Sequence, residues 1–169
     1  GASLLEMGAP DMHKFARSII IPDDKKMAVK IVSSDFVEYK DVLIAPSKGN
    51  LSRLIDPGDM PYEFGSVYQD DSFFPGKLAK LEEPYILRDL RGQSIVFYPF
   101  QYNPVTNQLK VVTKMEVKVI FKNTDITSHL ANKQRYYSPE FEHLFKSCLN
   151  YLPMQEKDVI TTYPVKYVI

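Results

Sequence analysis

Cys148 and His143 are the two residues whose types could form a nucleophile and its general base. Apolar residues from Phe141 to Leu149 recur at helical spacing, and Ser138-Pro139-Glu140 is typical of a helix start, so we predict a helix over 138–151. On that helix the two side chains would lie about 140° apart around the axis, too far for proton transfer. Cys148 would also fall on the apolar stripe, where a thiol is normally inert. We therefore predict no catalytic residues.

Carboxylates and imidazoles are the other groups with chemical potential. Calcium favours loop carboxylates, but the candidates do not have the spacing of an EF-hand loop; they are Asp56, Asp59, Asp70 and Asp71. The histidines are scattered and lack zinc-ligand spacing; they are His13, His129 and His143. No glycine-rich phosphate loop is present. The prediction is no metal and no cofactor, with the aspartates as solvated loop charges.

Composition excludes several function classes. The 21 basic and 21 acidic residues balance, so there is no electrostatic case for binding nucleic acid. No apolar run approaches the ~20 residues of a membrane span, and a lone cysteine cannot form an intrachain disulfide. The 11 Tyr, 10 Phe and 12 Pro favour an all-β domain with many turns.

The clearest secondary-structure signal is a long strand over 109–122. Apolar side chains fall mainly on one parity and lysines on the other, which predicts one buried face and one solvated face. An aromatic and β-branched run over 94–102 precedes it and reads as a central strand with a bulge at Pro99. Residues 103–108 contain Pro and Asn at turn positions, so the two strands should form a hairpin.

Earlier in the chain, further strands are predicted over 14–21, 27–33 and 36–45, with a turn at 23–26 that could join the first two as a hairpin. Residues 46–61 hold three prolines and two glycines and read as a long loop. The predicted fold is all-β: an antiparallel two-sheet sandwich of jelly-roll type with one C-terminal helix. An exposed edge strand could support oligomer formation.

Three separated segments carry a family resemblance: KDVLIAPSKG, ILRDLRGQ and FYPFQYNPVTNQLKV. Together they resemble the prodomain of gingipain-type cysteine peptidases, which are secreted bacterial endopeptidases, over about residues 8 to 157. The resemblance implies an irregular, truncated segment at 1–12, a prodomain at 13–152, a linker at 153–164 and the first strand of a catalytic domain at 165–169. The chain itself contains no signal-peptide pattern.

The same resemblance implies a function. The domain would assist folding and inhibit its own catalytic domain, on a precursor that reaches the bacterial surface or medium through the periplasm. Because arginine-specific members need an arginine in their specificity pocket, the long loop is the candidate inhibitory segment, with Lys48, Leu51, Ser52, Arg53 and Leu54 as its residues. The alternative is a non-catalytic adhesion or carbohydrate-binding β-sandwich, which exposed aromatics on a flat face would favour.

Overall fold

The computed structural model describes residues 1–125 and 139–152. Several predictions fall outside them: the linker at 153–164, the strand at 165–169, the helix start at Ser138, and His129. None of the described helices is long and apolar enough to cross a membrane.

The strands of the described residues form two antiparallel sheets. The strands are β1 (Ala2–Ser3), β2 (His13–Ile20), β3 (Lys25–Tyr39), β4 (Ala79–Leu81), β5 (Tyr85–Leu87), β6 (Leu90–Phe97), β7 (Phe100–Asn103) and β8 (Gln108–Asp125). One sheet has the order β1-β2-β6-β4, with β5 also paired to β6, and the other has the order β3-β8-β7. One helix, α1 (Pro139–Phe145), follows. The predicted fold class, all-β with two antiparallel sheets and a C-terminal helix, is confirmed.

The described residues group into two compact units. The first contains Gly1–Ala16, Ala28–Leu81 and Ile95–Ile120, and it includes the long loop. The second contains Arg17–Met27, Glu82–Ser94 and the described residues from Phe121 onward, including α1. The two residues of the short strand β1 pair with Lys14 and His13, so the segment predicted to be irregular begins with a strand.

The predicted hairpin is present as β7 and β8. Asn103 pairs with Gln108, and the Asn103 side chain accepts the N–H groups of Val105 and Thr106 at 3.0 and 3.2 Å. Asn107 adopts a φ of 53°, the left-handed conformation that asparagine tolerates. Along β8, Lys114, Glu116 and Lys118 are exposed, while Met115, Val117 and Val119 of the other parity are half-buried.

Pro99 divides the strand that was predicted over 94–102. Instead of a bulge, the chain leaves β6 in one sheet and continues as β7 in the other. A proline has no N–H for the ladder, and the carbonyl of Pro99 accepts the N–H of Val112 at 2.8 Å instead. The prediction that the strand before Pro99 is central in its sheet is correct, because β6 lies between β2 and β4.

Two predictions about the early strands are wrong. The strands predicted over 27–33 and 36–45 are one strand, β3, which ends at Tyr39. Within this strand, the carbonyl of Asp35 accepts a hydrogen bond from Thr113 Oγ1 of β8 at 3.3 Å. The hairpin predicted through residues 23–26 does not form, because β2 and β3 belong to different sheets. The Arg91 guanidinium holds this connection by donating to the carbonyls of Pro22 at 2.9 Å and Lys25 at 2.8 Å.

The helix predicted over 138–151 extends only over Pro139–Phe145. Ser147 Oγ donates to the carbonyl of Leu144 at 2.6 Å, a local bond with which serine competes against helix continuation. Beyond it the Leu149 N–H donates to the carbonyl of Ser18, and the Asn150 side chain bonds both backbone groups of Ile20. Pairing with β2 therefore replaces the last turns of the predicted helix.

Two tyrosines fix the segment that leads into the long loop. Tyr102, which is 1% exposed, donates its hydroxyl to the carbonyl of Val42 at 3.0 Å. Tyr68 donates to the carbonyl of Ile44 at 2.7 Å, and burial, assisted by Tyr102 and Asp11, raises the pKa of Tyr68 to about 12. The Tyr68 hydroxyl is therefore a protonated donor at neutral pH. Its contribution to stability is present below the unfolded pKa near 10 and is lost as the pH rises from there through 12.

We expect Tyr102→Phe to reduce the free energy of unfolding by about 1–2 kcal/mol, because the buried carbonyl of Val42 loses a donor. The measurement is urea unfolding followed by circular dichroism. Tyr39→Phe, at a tyrosine that is half exposed on β3, is the matched control and should change stability by less than about 0.5 kcal/mol. Equal effects from the two variants would contradict this role for the Tyr102 hydroxyl.

Candidate functional site

The candidate site is the segment between Ser47 and Gly65, which we call the Arg53 loop (residues 48–64). It contains no strand, and its only regular element is a 3-10 turn over Pro57–Asp59. The prediction of a long loop here is therefore confirmed. Such loops carry function when a rigid scaffold holds their ends.

Gly8 holds both ends of the Arg53 loop. Its N–H donates to the carbonyl of Ser47 at 3.0 Å, and its carbonyl accepts the N–H of Gly65 at 2.9 Å. The neighbouring Ala9 carbonyl accepts the Ser47 N–H at 2.7 Å, and Pro10 and Pro46 form a β-bridge. All of these residues are buried except Gly65, which is half-buried, so the backbone clamp at the base of the loop is largely shielded from water.

Only glycine fits this clamp. Gly8 has a φ of +76°, and a Cβ there would also lie 3.1 Å from the backbone nitrogen of Gly65. A Cβ on Gly65 would lie 3.0 Å from the Gly8 carbonyl oxygen. Since both obstacles are backbone atoms, a side chain at either position would push Gly8 and Gly65 apart.

Lys48 and Asp56 stabilise the interior of the Arg53 loop. Lys48 Nζ donates to the carbonyl of Pro57 at 2.6 Å and lies 4.3 Å from the ring centroid of Tyr62. The Asp56 carboxylate caps the 3-10 turn by accepting the Gly58 N–H at 2.8 Å. An open cavity of about 330 Å³ lies beside this part of the loop, and Leu51 and Lys48 are among the residues that line it.

Arg53 and Leu54 occupy the two corners of a turn at the tip of the loop. The Ile55 N–H donates to the Ser52 carbonyl at 3.0 Å and closes the turn, while Ser52 Oγ accepts the Leu54 N–H at 3.4 Å. The Arg53 side chain is exposed, and Leu54 is 96% exposed. A cation and a large apolar side chain are thus presented together to solvent.

The five residues predicted for an inhibitory segment therefore divide into two groups. Lys48 and Leu51 are half-buried against the loop's own base, and Ser52 shapes the turn. Arg53 and Leu54 face outward. Sequence reasoning missed Gly8 and Gly65, whose only signal was glycine in irregular segments far apart in the chain.

The Cys148 and His143 side chains do not form a nucleophilic pair. Cys148 lies beyond α1 and is 7% exposed, whereas His143 is exposed on the helix. The angle of about 140° was expected for two residues on one helix, and it does not apply because Cys148 lies beyond α1. The two side chains still differ in exposure, one buried and one exposed. Burial raises the pKa of the Cys148 thiol, an effect that a hydrogen bond from Ser147 only partly offsets. A neutral, buried thiol is a poor nucleophile.

Three of the four candidate metal-binding carboxylates, those of Asp56, Asp70 and Asp71, accept hydrogen bonds from the protein itself. Asp70 accepts from Ser72 Oγ at 2.8 Å, and Asp71 accepts from the side chain of Asn103 at 2.8 Å. Within residues 1–125 and 139–152, no group of three or more His, Cys, Asp or Glu side chains could hold a metal ion. Asp56, Asp70 and Asp71 therefore serve as hydrogen-bond acceptors within the protein.

Comparison with known proteins places the chain among peptidase propeptides. The family model Propeptide_C25 matches residues 1–138. Gingipain R2 of Porphyromonas gingivalis is 39% identical over 176 residues, which cover 99% of this chain and 24% of that protein. Lys-gingipain HG66 of the same species is 25% identical and covers 86% of this chain and 9% of its own length. The chain thus spans about a quarter or less of these relatives.

Two solved structures are similar to the chain. The complex of Porphyromonas gingivalis RgpB pro- and mature domains matches with a TM-score of 0.80 and 40% identity, covering 90% of this chain and 77% of that one. A structure on the zymogenic latency of gingipain K from the same species matches with a TM-score of 0.59 and 24% identity, covering 72% and 70%. The second likeness extends to the fold alone.

We expect Gly65→Ala to destabilise the domain by about 1–2 kcal/mol, because the added methyl group presses on the Gly8 carbonyl oxygen. Gly65 itself has a φ of −75°, which alanine adopts without strain, so the contact is the only cost. The melting temperature should fall by roughly 3–6 °C.

Gly58→Ala is the matched control in the same loop. A Cβ there meets only the flexible carboxylate of Asp56, so the change should stay within about 0.5 kcal/mol. If Gly65→Ala melts at the wild-type temperature, the backbone contact does not hold the loop.

Proposed function

The chain belongs to the Propeptide_C25 family of gingipain-type propeptides, and from this premise we propose that its Arg53 loop blocks the active site of its own catalytic domain. The chain is a non-catalytic part of a cysteine peptidase precursor. We further propose that this precursor is secreted or held at the cell surface, as in the resembled family, and that the domain assists folding of the enzyme by binding it.

One observation carries the proposal: Arg53 is exposed at the tip of a loop whose two ends are fixed by Gly8. A loop that already has its bound shape loses little conformational entropy when it binds, so more of the contact energy appears as affinity. Such a loop can therefore deliver a single side chain into a pocket.

The chemistry of Arg53 suits a specificity pocket that contains a carboxylate. A planar guanidinium can donate two parallel hydrogen bonds to one carboxylate, which the ammonium group of a lysine cannot match. The same loop also exposes apolar side chains that could fill hydrophobic subsites of the enzyme; they are Leu54 at 96%, Phe64 at 65%, Tyr62 at 57% and Ile55 at 43%.

The turn at Arg53 also supports inhibition without cleavage. An endopeptidase attacks a carbonyl that is held about 3 Å from its nucleophile in a fixed geometry. Here the chain bends at Arg53 and Leu54, and the Ser52 carbonyl bonds the Ile55 N–H across the bend. A segment closed in this way can fill the pocket with its side chain while its backbone departs from the line of a substrate.

The alternative of an adhesion or carbohydrate-binding module is less well supported. Tyr62 and Phe64 belong to the Arg53 loop, and the exposed aromatics on strands are distributed over β2, β3 and β8; they are Phe15, Phe36, Tyr39 and Phe121. On β3, Phe36 and Tyr39 have different parity and therefore lie on opposite faces of the sheet. The family match adds weight to the inhibitory function.

We expect the isolated domain to inhibit its cognate peptidase at sub-micromolar concentration and Arg53→Ala to weaken inhibition by roughly 30- to 5,000-fold. That range corresponds to the loss of about 2–5 kcal/mol when one partner of a buried charged pair is removed. Arg53→Lys should be intermediate for an arginine-specific enzyme and stronger than wild type for a lysine-specific one. The measurement is the inhibition constant, with melting temperatures checked first.

Arg17→Ala is the matched control, because Arg17 is another exposed arginine that lies on β2, outside the loop. It should leave the inhibition constant unchanged. A shift of less than about threefold for Arg53→Ala would show that the inhibitory contact lies elsewhere. No inhibition by the wild-type domain at micromolar excess would contradict the proposed function as a whole.

A further inference from the structure

Strand β3 offers a long edge for pairing. In the order β3-β8-β7 it is the outermost strand, so among the described residues only β8 pairs with it. It runs for 15 residues, Lys25–Tyr39, and its sequence contains neither proline nor glycine. An edge strand of this length presents a row of backbone N–H and C=O groups that can hydrogen-bond another strand.

The part of β3 that lies in the first unit, residues 28–39, exposes apolar side chains along this edge. The large ones are Val32 at 52%, Tyr39 at 50%, Phe36 at 49% and Val37 at 45%. Natural edges are usually protected by proline, by a bulge or by lysines along the strand. Here the only lysine in this part is Lys30, and the acids Asp35 and Glu38 follow it. This part of the strand therefore carries a positive charge near its start and negative charges near its end.

A strand with opposite charges at its two ends has charges complementary to those of an antiparallel copy of itself. When a two-fold axis runs perpendicular to the sheet, facing residues share a side of the sheet, so they must have the same parity. With the axis at Ser34, Lys30 of one copy faces Glu38 of the other, and Val32 faces Phe36. An axis at Ser33 would instead place Lys30 opposite Phe36, and one at Asp35 would place Lys30 opposite Lys40.

The register at Ser34 uses residues of one exposed face. Lys110 Nζ contacts both the Phe36 ring, at 4.8 Å, and Glu38 Oε1, at 3.1 Å, so Phe36 and Glu38 lie on the same side as Lys110. The contact with Lys110 involves one oxygen of Glu38, and a carboxylate can accept a second cation at its other oxygen. Opposite charges and aromatic–β-branched pairs are the cross-strand pairs that stabilise sheets.

We propose that two copies of this domain associate through β3, in antiparallel register centred on Ser34, to form one continuous sheet. The two-fold axis doubles each favourable pair: two Lys30–Glu38 contacts and two Val32–Phe36 contacts. Because a single strand pairing is a small interface, the dimer is weak and its population depends on concentration. This association does not depend on Arg53 or on the inhibitory function.

Site-specific crosslinking tests the register. In a Ser34→Cys variant the two introduced thiols face each other across the axis, at the Cβ separation of about 4.5–5.5 Å that directly opposed residues have. Mild oxidation should therefore produce a disulfide-linked dimer on a non-reducing gel. In the matched Ser33→Cys control the two thiols are diagonal neighbours, roughly 7–8 Å apart, and should crosslink much less. Cys148 is buried, and the wild-type protein measures its background.

Sedimentation measures the association itself. The wild-type domain should dimerise as its concentration rises, and Lys30→Glu should raise the dimer dissociation constant by about tenfold, since two attractive pairs become repulsive. Lys114→Glu makes the same charge change on the exposed face of β8 and should leave the constant unchanged. A protein that stays monomeric, equal crosslinking at positions 33 and 34, or a Lys30→Glu variant that loses only peptidase inhibition would each overturn the proposal.

Discussion

The backbone contact between Gly8 and Gly65 is the constraint on which the candidate site depends. Gly8 bonds the residue that precedes the Arg53 loop and the residue that follows it, so the loop is closed at its base by a residue from a distant part of the chain. Closing a long loop costs conformational entropy, and here that cost is met during folding of the domain. Under the proposed function, the tip of the loop is therefore shaped before it meets the enzyme, which would let a loop without strands position one side chain.

Two tyrosine hydroxyls of the first unit also hold the segment that leads into the clamp. Tyr102 on β7 and Tyr68 after the loop donate to the carbonyls of Val42 and Ile44, which lie just before the clamp. Tyr102 is placed by the β7–β8 hairpin, and β7 begins where the chain changes sheets at Pro99. The strand that follows Pro99 thus supplies the tyrosine hydroxyl that holds the Val42 carbonyl, five residues before Ser47 at the base of the Arg53 loop.

Local patterns in the sequence predicted the features that depend on neighbouring residues. The alternation along β8 and the turn residues of its hairpin are such features, as is the loop that contains Arg53. Features that depend on distant partners were not predictable. Nothing near Ser33 and Asp35 shows that β8 keeps β3 continuous, and nothing near Leu149 shows that β2 replaces the end of the helix. The clamp was missed for the same reason, since each glycine alone resembles an ordinary loop residue. Arg53 itself was singled out by family resemblance, and its exposed position at a turn was not visible in the sequence.

Hydrogen exchange of the domain, free and bound to its catalytic domain with the catalytic cysteine replaced, tests the central claim most directly. That claim is that a loop clamped at its base presents Arg53 to the enzyme. In the free domain the amides of Gly8 and Gly65 should exchange slowly while those of Arg53 and Leu54, in an exposed turn, exchange fast. Binding should slow exchange at Arg53 and Leu54 and leave the clamp as it was. Fast exchange at the clamp in the free domain, or protection on binding that avoids the tip of the loop, would contradict the account.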